Sequence, residues 1–245
     1  MRVLPRLCLA AVAVLAVGCT APSGTTPAPD SPAAGTPSAA APTASPTAAG
    51  TVASVAPGQE VDAHALLAAV AKAQRDAKTS TASFEVTKAD KSVVASGTAA
   101  LDFGGETTRM YAKGTQQGGV EVMIDGATAY VKAGELTQGK WLKGSLSSVP
   151  EAVRDVQQSY DAAALQGGVD KAVFRGEETV EGVRARHYTL TGSGRTQELW
   201  VGPDYRPVRS QWPESEGTFT TTFSGYGRPV TIPTPPASEV VQLPG

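Results

Sequence analysis

A chain of 245 residues with 21 basic and 23 acidic side chains, 41% hydrophobic composition and only two cysteines has room for one or two domains. Its near balance of charge excludes a nucleic-acid binder and an acidic tail protein. Both cysteines, Cys8 and Cys19, lie in or beside the N-terminal apolar stretch, so no disulfide can staple the rest, and a packed core must hold it.

Arg2 and Arg6, an apolar run from Leu7 to Val17 and the small Gly18 have the three-part build of a secretory signal. The run of about 11 residues is too short for a hydrocarbon core that needs ~20. Ala16-Val17-Gly18-Cys19 resembles a bacterial lipobox, with Leu15 one place further upstream than the position where Leu is commonest. The resemblance implies that Cys19 takes a diacylglyceryl group on its sulfur and that residues 1–18 are removed. The mature chain would then be lipid-anchored on the extracytoplasmic face of the cell membrane. An ordinary signal peptide with a chance cysteine is the alternative. Loss of Arg2 and Arg6 leaves 19 basic against 23 acidic residues.

From Thr20 to Gly58 the sequence is almost wholly Ala, Pro, Thr, Ser and Gly, with Asp30 as its only charge, and it cannot form a core. Residues 19–58 therefore read as a lipidated cysteine and a tether. Its 39 residues after Cys19 would span ~35 Å as a flexible coil and at most ~120 Å as polyproline II. The Ser and Thr beside Pro also fit O-glycosylation, an unmodified spacer being the simpler reading.

Residues 59–245 read as the folded domain. Asp62 is placed to cap a helix, and Ala63, Leu66, Leu67, Val70, Ala73 and Ala77 follow at helical spacing to about Lys78. The period then changes to two. Phe84 and Val86 alternate with polar residues, and Ala95, Gly97, Ala99, Leu101 and Phe103 share one strand face. Val120 to Ile124 and Ala127 to Val131 flank Asp125-Gly126, which predicts a two-residue hairpin turn with positive φ at both of those positions. After Trp141 a second helix is expected. Ser148 and Glu151 are spaced as a capping box, Pro150 suits the first turn, and Val149, Val153, Val156 and Tyr160 recur at helical intervals up to Gly167-Gly168. Strands are expected again over 171–178, 183–191, 196–201, 206–212 and 218–223, with turns at Glu181-Gly182, Gly192 to Gly194, Gly202-Pro203-Asp204 and Pro213 to Gly217. The Pro-rich tail from Gly227 reads as extended chain along an edge. Helix, meander, helical insertion and second meander make an α+β domain with a single strongly curved antiparallel sheet and two helices on its concave side.

Three segments carry a family likeness. They are Glu181-Gly182-Val183 running to His187-Tyr188-Thr189-Leu190, then Leu199-Trp200-Val201 with Asp204-Tyr205-Arg206-Pro207-Val208, then Phe223 to Val230. They resemble the second half of actinobacterial LolA-like lipoproteins related to the LppX and LprG group, and the element order extends the likeness over most of Val61 to Val241. The resemblance implies a half-barrel closed by helices over an apolar cavity for acyl chains and a role in carrying lipids through the cell envelope. The short, Ala-rich helical insertion departs from that pattern.

No enzymatic signature is present: no nucleophile elbow, zinc-protease helix or phosphate loop, and only His64 and His187 as imidazole bases, both read as surface or structural. No cofactor or metal is expected. Glu177-Glu178 and Glu181 read as a solvated turn. Phe84, Phe103, Phe174, Trp200, Phe219 and Phe223 read as sheet core, whose inner side would also be the cavity wall. On that wall the expected ligand-facing residues are Leu66, Val70, Phe84, Ala99, Leu101, Val153, Val156 and Tyr160, and the narrow helix stripes are expected to leave room between them. Arg184 and Arg186 share one strand face, near Arg175, Arg195, Arg206 and Arg209, and suit an anionic headgroup, outward solubilising charge being the alternative. The expected partners are a lipid or other amphiphile and the membrane through Cys19, with an envelope protein as a further candidate; no nucleic acid is expected. A non-enzymatic interaction or sensor domain is the second functional class, and a hydrolase the third.

Overall fold

The computed structural model describes residues 55–115, 119–149, 151–214 and 217–243. The signal, Cys19, the tether as far as residue 54, Pro150 and part of the 213–217 turn lie outside the described residues. Residues 55–245 form one compact unit.

In chain order the unit contains β1 (Glu60–Val61), α1 (Ala63–Ala77), β2 (Thr79–Lys88), β3 (Val93–Asp102), β4 (Arg109–Gly114), β5 (Val120–Asp125), β6 (Thr128–Ala133) and β7 (Trp141–Ser145). Then come α2 (Glu151–Tyr160), α3 (Ala162–Leu165), β8 (Lys171–Val180), β9 (Val183–Gly192), β10 (Arg195–Val201), β11 (Pro207–Glu214), β12 (Gly217–Ser224) and β13 (Val240–Gln242). Short 3-10 turns occupy Gly134–Thr137, Gln166–Gly168 and Ala237–Glu239.

Helix α1 begins where its cap dictates: the Asp62 carboxylate accepts a hydrogen bond from the Ala65 N–H at 2.9 Å, satisfying one of the orphan donors of the first turn. It ends at Lys78, whose positive φ of 67° turns the chain directly into β2. The expected second helix is broken. Asp161 leaves helical geometry and caps α3 by accepting from the Ala163 N–H at 2.9 Å, so three helices stand where two were expected. The Ser148 hydroxyl donates back to the Ser145 carbonyl at 2.9 Å, and the expected capping box with Glu151 lies outside the described residues.

All thirteen strands form one open, curved sheet in the order β1-β8-β9-β10-β11-β12-β2-β3-β4-β5-β6-β7-β13. Every pair is antiparallel except β7 with β13, where the C-terminal tail lies parallel along the edge, Val240 opposite Trp141. Strands β1, β7 and β13 were not expected from periodicity; they are short, and neighbours supply their pairing. The turns follow their chemistry. Glu181-Gly182 and Ser193-Gly194 each have positive φ at both central positions, which matches the right-handed twist of the hairpin arms. The β5–β6 turn differs from expectation. Asp125 pairs with Thr128, so the two turn residues are Gly126 and Ala127, and only Gly126 has positive φ, at 56°.

The topology positions the helices. Strands β2–β7 and β8–β12 are two meanders joined side by side at β12–β2, which leaves β7 and β8 toward opposite ends of the sheet. The chain between them must cross the sheet face, and it does so as α2 and α3. Two apolar clusters result on that inner face. One gathers Leu66, Leu67 and Val70 of α1 with Ala162, Phe174, Tyr188, Leu190 and Leu199. The other gathers Val149, Val153 and Tyr160 with Ala82, Ala99, Leu101, Met110, Ile124 and Phe223. A small third cluster, Val180, Ala185, Trp200 and Val208, covers the other face. Core and both sheet edges are thus supplied within one unit, as an independently folding domain requires.

Gln74 joins the helices where they meet. Its side chain, 1% exposed, donates to the Tyr160 carbonyl at 2.8 Å and accepts from the Ala162 N–H at 3.1 Å, satisfying the backbone on both sides of the Asp161 break. Gln74→Met keeps the volume and orphans both groups. It should cost about 2 to 4 kcal/mol, read as a lower urea midpoint; an unchanged midpoint would remove this linkage from the account.

Candidate functional site

The inner face is floored by small residues. Across β2, β3 and β4 the register aligns Ala82, Ala99 and Ala112, and one row further along it aligns Phe84, Gly97 and Gly114. Gly97 is required there: a Cβ would lie 2.2 Å from the Lys113 carbonyl oxygen and 2.3 Å from the Phe84 ring. Over this floor sits Tyr160, 1% exposed, its ring edge-on to Phe223 with centroids 6.1 Å apart. Val149 and Val153 are buried beside it and Val156 is half-buried. The expected room is therefore largely occupied. One aromatic side chain on a short helix fills the space that a narrow stripe of valines would leave.

A small, half-open void of about 20 Å³ is bordered by Leu67, Val70, Tyr160, Leu199, Ser210 and Phe223. It adjoins an open groove of about 200 Å³, with Gln158, Ser159, Leu165 and Gln197 bordering both. The groove runs between α2 and the ends of β9, β10 and β11, with Arg154, Asp155, Arg195 and Trp212 among its walls. Arg195 reaches across it to Asp155 at 2.6 Å, and the Arg154 guanidinium donates to the Val149 carbonyl at 2.8 Å. Trp212 stacks on Phe219 with centroids 4.2 Å apart, and Phe219 stacks on Phe84 at 5.6 Å, an aromatic row on the same inner face.

Several buried polar groups in this region are held unusually. Among the described residues the hydroxyls of Ser80 and Ser210, both fully buried, have no hydrogen-bond partner. Burial pushes the Tyr160 phenol well above the ordinary tyrosine range, an effect that the Thr221 hydroxyl partly offsets. Tyr226, whose hydroxyl donates to the Pro207 carbonyl at 2.7 Å, is raised in the same way, by burial first and by Asp204 second.

All eight expected wall residues lie on the helix and sheet sides of this interior, but in two groups. Leu66 and Val70 belong to the α1 cluster. Phe84, Ala99, Leu101, Val153, Val156 and Tyr160 belong to the α2 cluster. Arg184 and Arg186 do share a face, and there they share the Glu177 carboxylate at 2.5 and 3.5 Å, with Arg184 81% exposed. They sit toward the other end of β9, about 13 to 26 Å along the strand from the groove at Leu190 and Gly192. Glu177 and Glu178 are strand residues of β8 and not a solvated turn. Glu178 accepts from the Trp200 indole N–H and lies 3.2 Å from His187. His187 is also 2.7 Å from Glu198 and stacks on Trp200 at 4.3 Å; His64 is exposed on α1. Arg154, Asp155 and Trp212 escaped the sequence reading. The only signal that could have found them is that Arg154 and Asp155 lie on the polar side of a helix whose apolar stripe had been identified.

Among the described residues no group of three or more His, Cys, Asp or Glu side chains could hold a metal ion. Nor is any helix there long and apolar enough to cross a membrane.

No family model and no curated protein matches the chain. Solved structures similar to it include LprF from Mycobacterium bovis, 16% identical over 71% of this chain and 96% of that one, with a TM-score of 0.45. LppX from Mycobacterium tuberculosis is 19% identical over 69% of this chain and 98% of that one, with a TM-score of 0.44. MucB of Pseudomonas aeruginosa, solved in complex with MucA, is 18% identical over 69% of this chain and 56% of that one, with a TM-score of 0.42. LppX, a member of the group that the strand segments resemble, is thus among the structures this chain is similar to.

The buried phenols set a pH dependence. Their folded-state pKa values lie above the unfolded ~10, so above that pH the folded state binds more protons, and stability falls as pH rises. Base unfolding followed by circular dichroism should coincide with the late part of the phenolate absorbance change, and Tyr160→Phe should flatten the decline. Complete phenolate formation in a still-folded protein would contradict this burial.

Proposed function

We propose that this is an extracytoplasmic lipoprotein, anchored through Cys19, whose domain binds an amphiphile between α2 and the inner face of its sheet. One observation carries the reading: an open groove adjoins a small void at the core, and the nearby floor of Ala and Gly is covered by few side chains of one short helix. Withdrawal of Tyr160 and Val153 would uncover an apolar trough large enough for an acyl chain. The ligand's chain would then replace contacts that those side chains make in the closed form. Carriage of lipid across the envelope is the physiological role that fits an anchored binder on a long tether.

A second reading, an interaction domain that moves no lipid, is favoured by one observation: the interior is filled by Tyr160 and its neighbours. Both readings are separated by a fluorescent acyl probe titrated into residues 55–245. Binding is expected, about tenfold tighter in Tyr160→Ala, which needs ~1.4 kcal/mol less displacement, and weaker in Ala99→Trp, which fills the floor. Each variant would be checked for native circular dichroism. No uptake by wild type or by a folded Tyr160→Ala variant would transfer the assignment to the interaction reading.

The anchor is tested separately. One acyl chain holds a protein only marginally at a membrane and two hold it stably, so Cys19→Ala should move the protein from the membrane fraction to soluble or unprocessed forms. Fractionation identical to wild type would remove the anchor from the proposal.

A further inference from the structure

We infer that the groove between α2 and β9–β11 is an anion site, and that it selects amphiphiles with a phosphate or carboxylate group over neutral ones. The amphiphile part of this statement rests on the function proposed above; the anion site does not. Two guanidinium groups line the groove, Arg154 from α2 and Arg195 from β10. Arg154 is oriented by protein carbonyls: one Nη donates to Val149 O at 2.8 Å and to Ser147 O at 3.4 Å. Among the described residues no carboxylate lies within ion-pair distance of it, and Asp155 is the single carboxylate in the groove wall. Its remaining N–H groups form a fork held in place before any ligand arrives, an arrangement that suits the planar pair of acceptors of a carboxylate or phosphate.

Arg195 is engaged by Asp155 at 2.6 Å and remains 52% exposed, so an arriving anion can share or displace that carboxylate. The amides of Gln158 and Gln197 and the hydroxyl of Ser193 add neutral donors to the same walls. Past Gln158 and Leu165 the wall becomes apolar and leads toward Tyr160 and Phe223. A charged head at the Arg pair would thus leave its chain pointed into the trough. Arg184 and Arg186 do not offer this geometry, because they share Glu177 and have no such passage beside them.

Asp155 has the informative position, since it competes with any anion for Arg195. Its replacement should therefore improve binding, which a damaged fold does not do. The test titrates residues 55–245, Arg154→Gln and Asp155→Asn with inorganic phosphate, dodecyl phosphate and dodecyl maltoside. Trp212 is the reporter, because Trp141 and Trp200 lie on strand positions of the opposite face, and Trp212→Phe supplies the blank. Dodecyl phosphate should bind wild type more tightly than dodecyl maltoside, by about tenfold at low salt, a gap that narrows as salt is added. Arg154→Gln should close the gap and Asp155→Asn should widen it.

Equal affinity of the two detergents with no response to Asp155→Asn would overturn the anion site while leaving the amphiphile reading intact. Binding of inorganic phosphate that responds to both variants, without any binding of either detergent, would uphold the anion site and sink the amphiphile reading. Tighter anion binding by Arg154→Gln than by wild type would refute the role given to Arg154.

Discussion

The pairing of β12 with β2 is the constraint on which the architecture depends. It joins strands more than a hundred residues apart through an unbroken register, Gly217 with Lys88 to Ser224 with Thr81. Two meanders thereby become one sheet, and the strands on either side of the helical insertion are sent toward opposite ends of it. The insertion has no route that avoids the sheet face. The same pairing brings Phe223 beside Ala82 and Phe219 beside Val86, which continues the inner apolar face across the seam. A sheet this wide must curl under the accumulated twist of its strands. The crossing helices then lie in the hollow.

The hollow is closed by a small number of unequal contacts. Gln74 fastens the helical break through two buried hydrogen bonds, and Tyr160 fills the space beneath α2. Around them the packing is divided between an α1 cluster and an α2 cluster, and the void and the two unpartnered serine hydroxyls lie in this inner region. Helix α1 contributes buried side chains along its length, from Ala63 to Ala77. Helix α2 rests on Val153, Tyr160 and half-buried Val156. That difference makes α2 the element with least to lose if the interior is to open.

The opposite face of β8–β10 is organised by charge. Glu178, His187, Glu198, Thr189 and Arg175 form a connected row, with Trp200 beneath the imidazole. Contacts of this partly exposed kind stabilise by at most about 1 kcal/mol apiece, so their effect is to specify strand register more than to add stability. Arg209 with Glu181 extends the pattern, while Arg184 with Glu177 pairs on the face that carries Tyr188; both account for charges that look available in the sequence and are engaged in the fold.

Local chemistry explains what was legible in the sequence. Asp62 and the apolar spacing after it fix α1, and the period of two marks the long strands. Glu181-Gly182 and Ser193-Gly194 mark their turns, because positive φ at both positions favours Gly and tolerates few others. One large antiparallel sheet with helices on one side follows from that order of elements. Strands β1 and β7 did not follow, since two to five residues carry no period and exist only because a neighbour offers hydrogen bonds, whereas the tail was read as edge chain and pairs there as β13. The break at Asp161 was hidden for a similar reason: its backbone groups are satisfied by Gln74, 87 residues earlier in the chain. The groove belongs to the same class. Arg154 and Asp155 read as the polar side of a helix, and Arg195 as a turn residue. Only the long-range pairing that lays α2 across the sheet brings them together over Trp212. Sequence alone determined the long helix, the long strands and most of their turns, because those preferences act within a few residues. Tertiary structure decided which charges meet, how full the hollow is and where it opens, because those depend on contacts between residues that the chain keeps far apart.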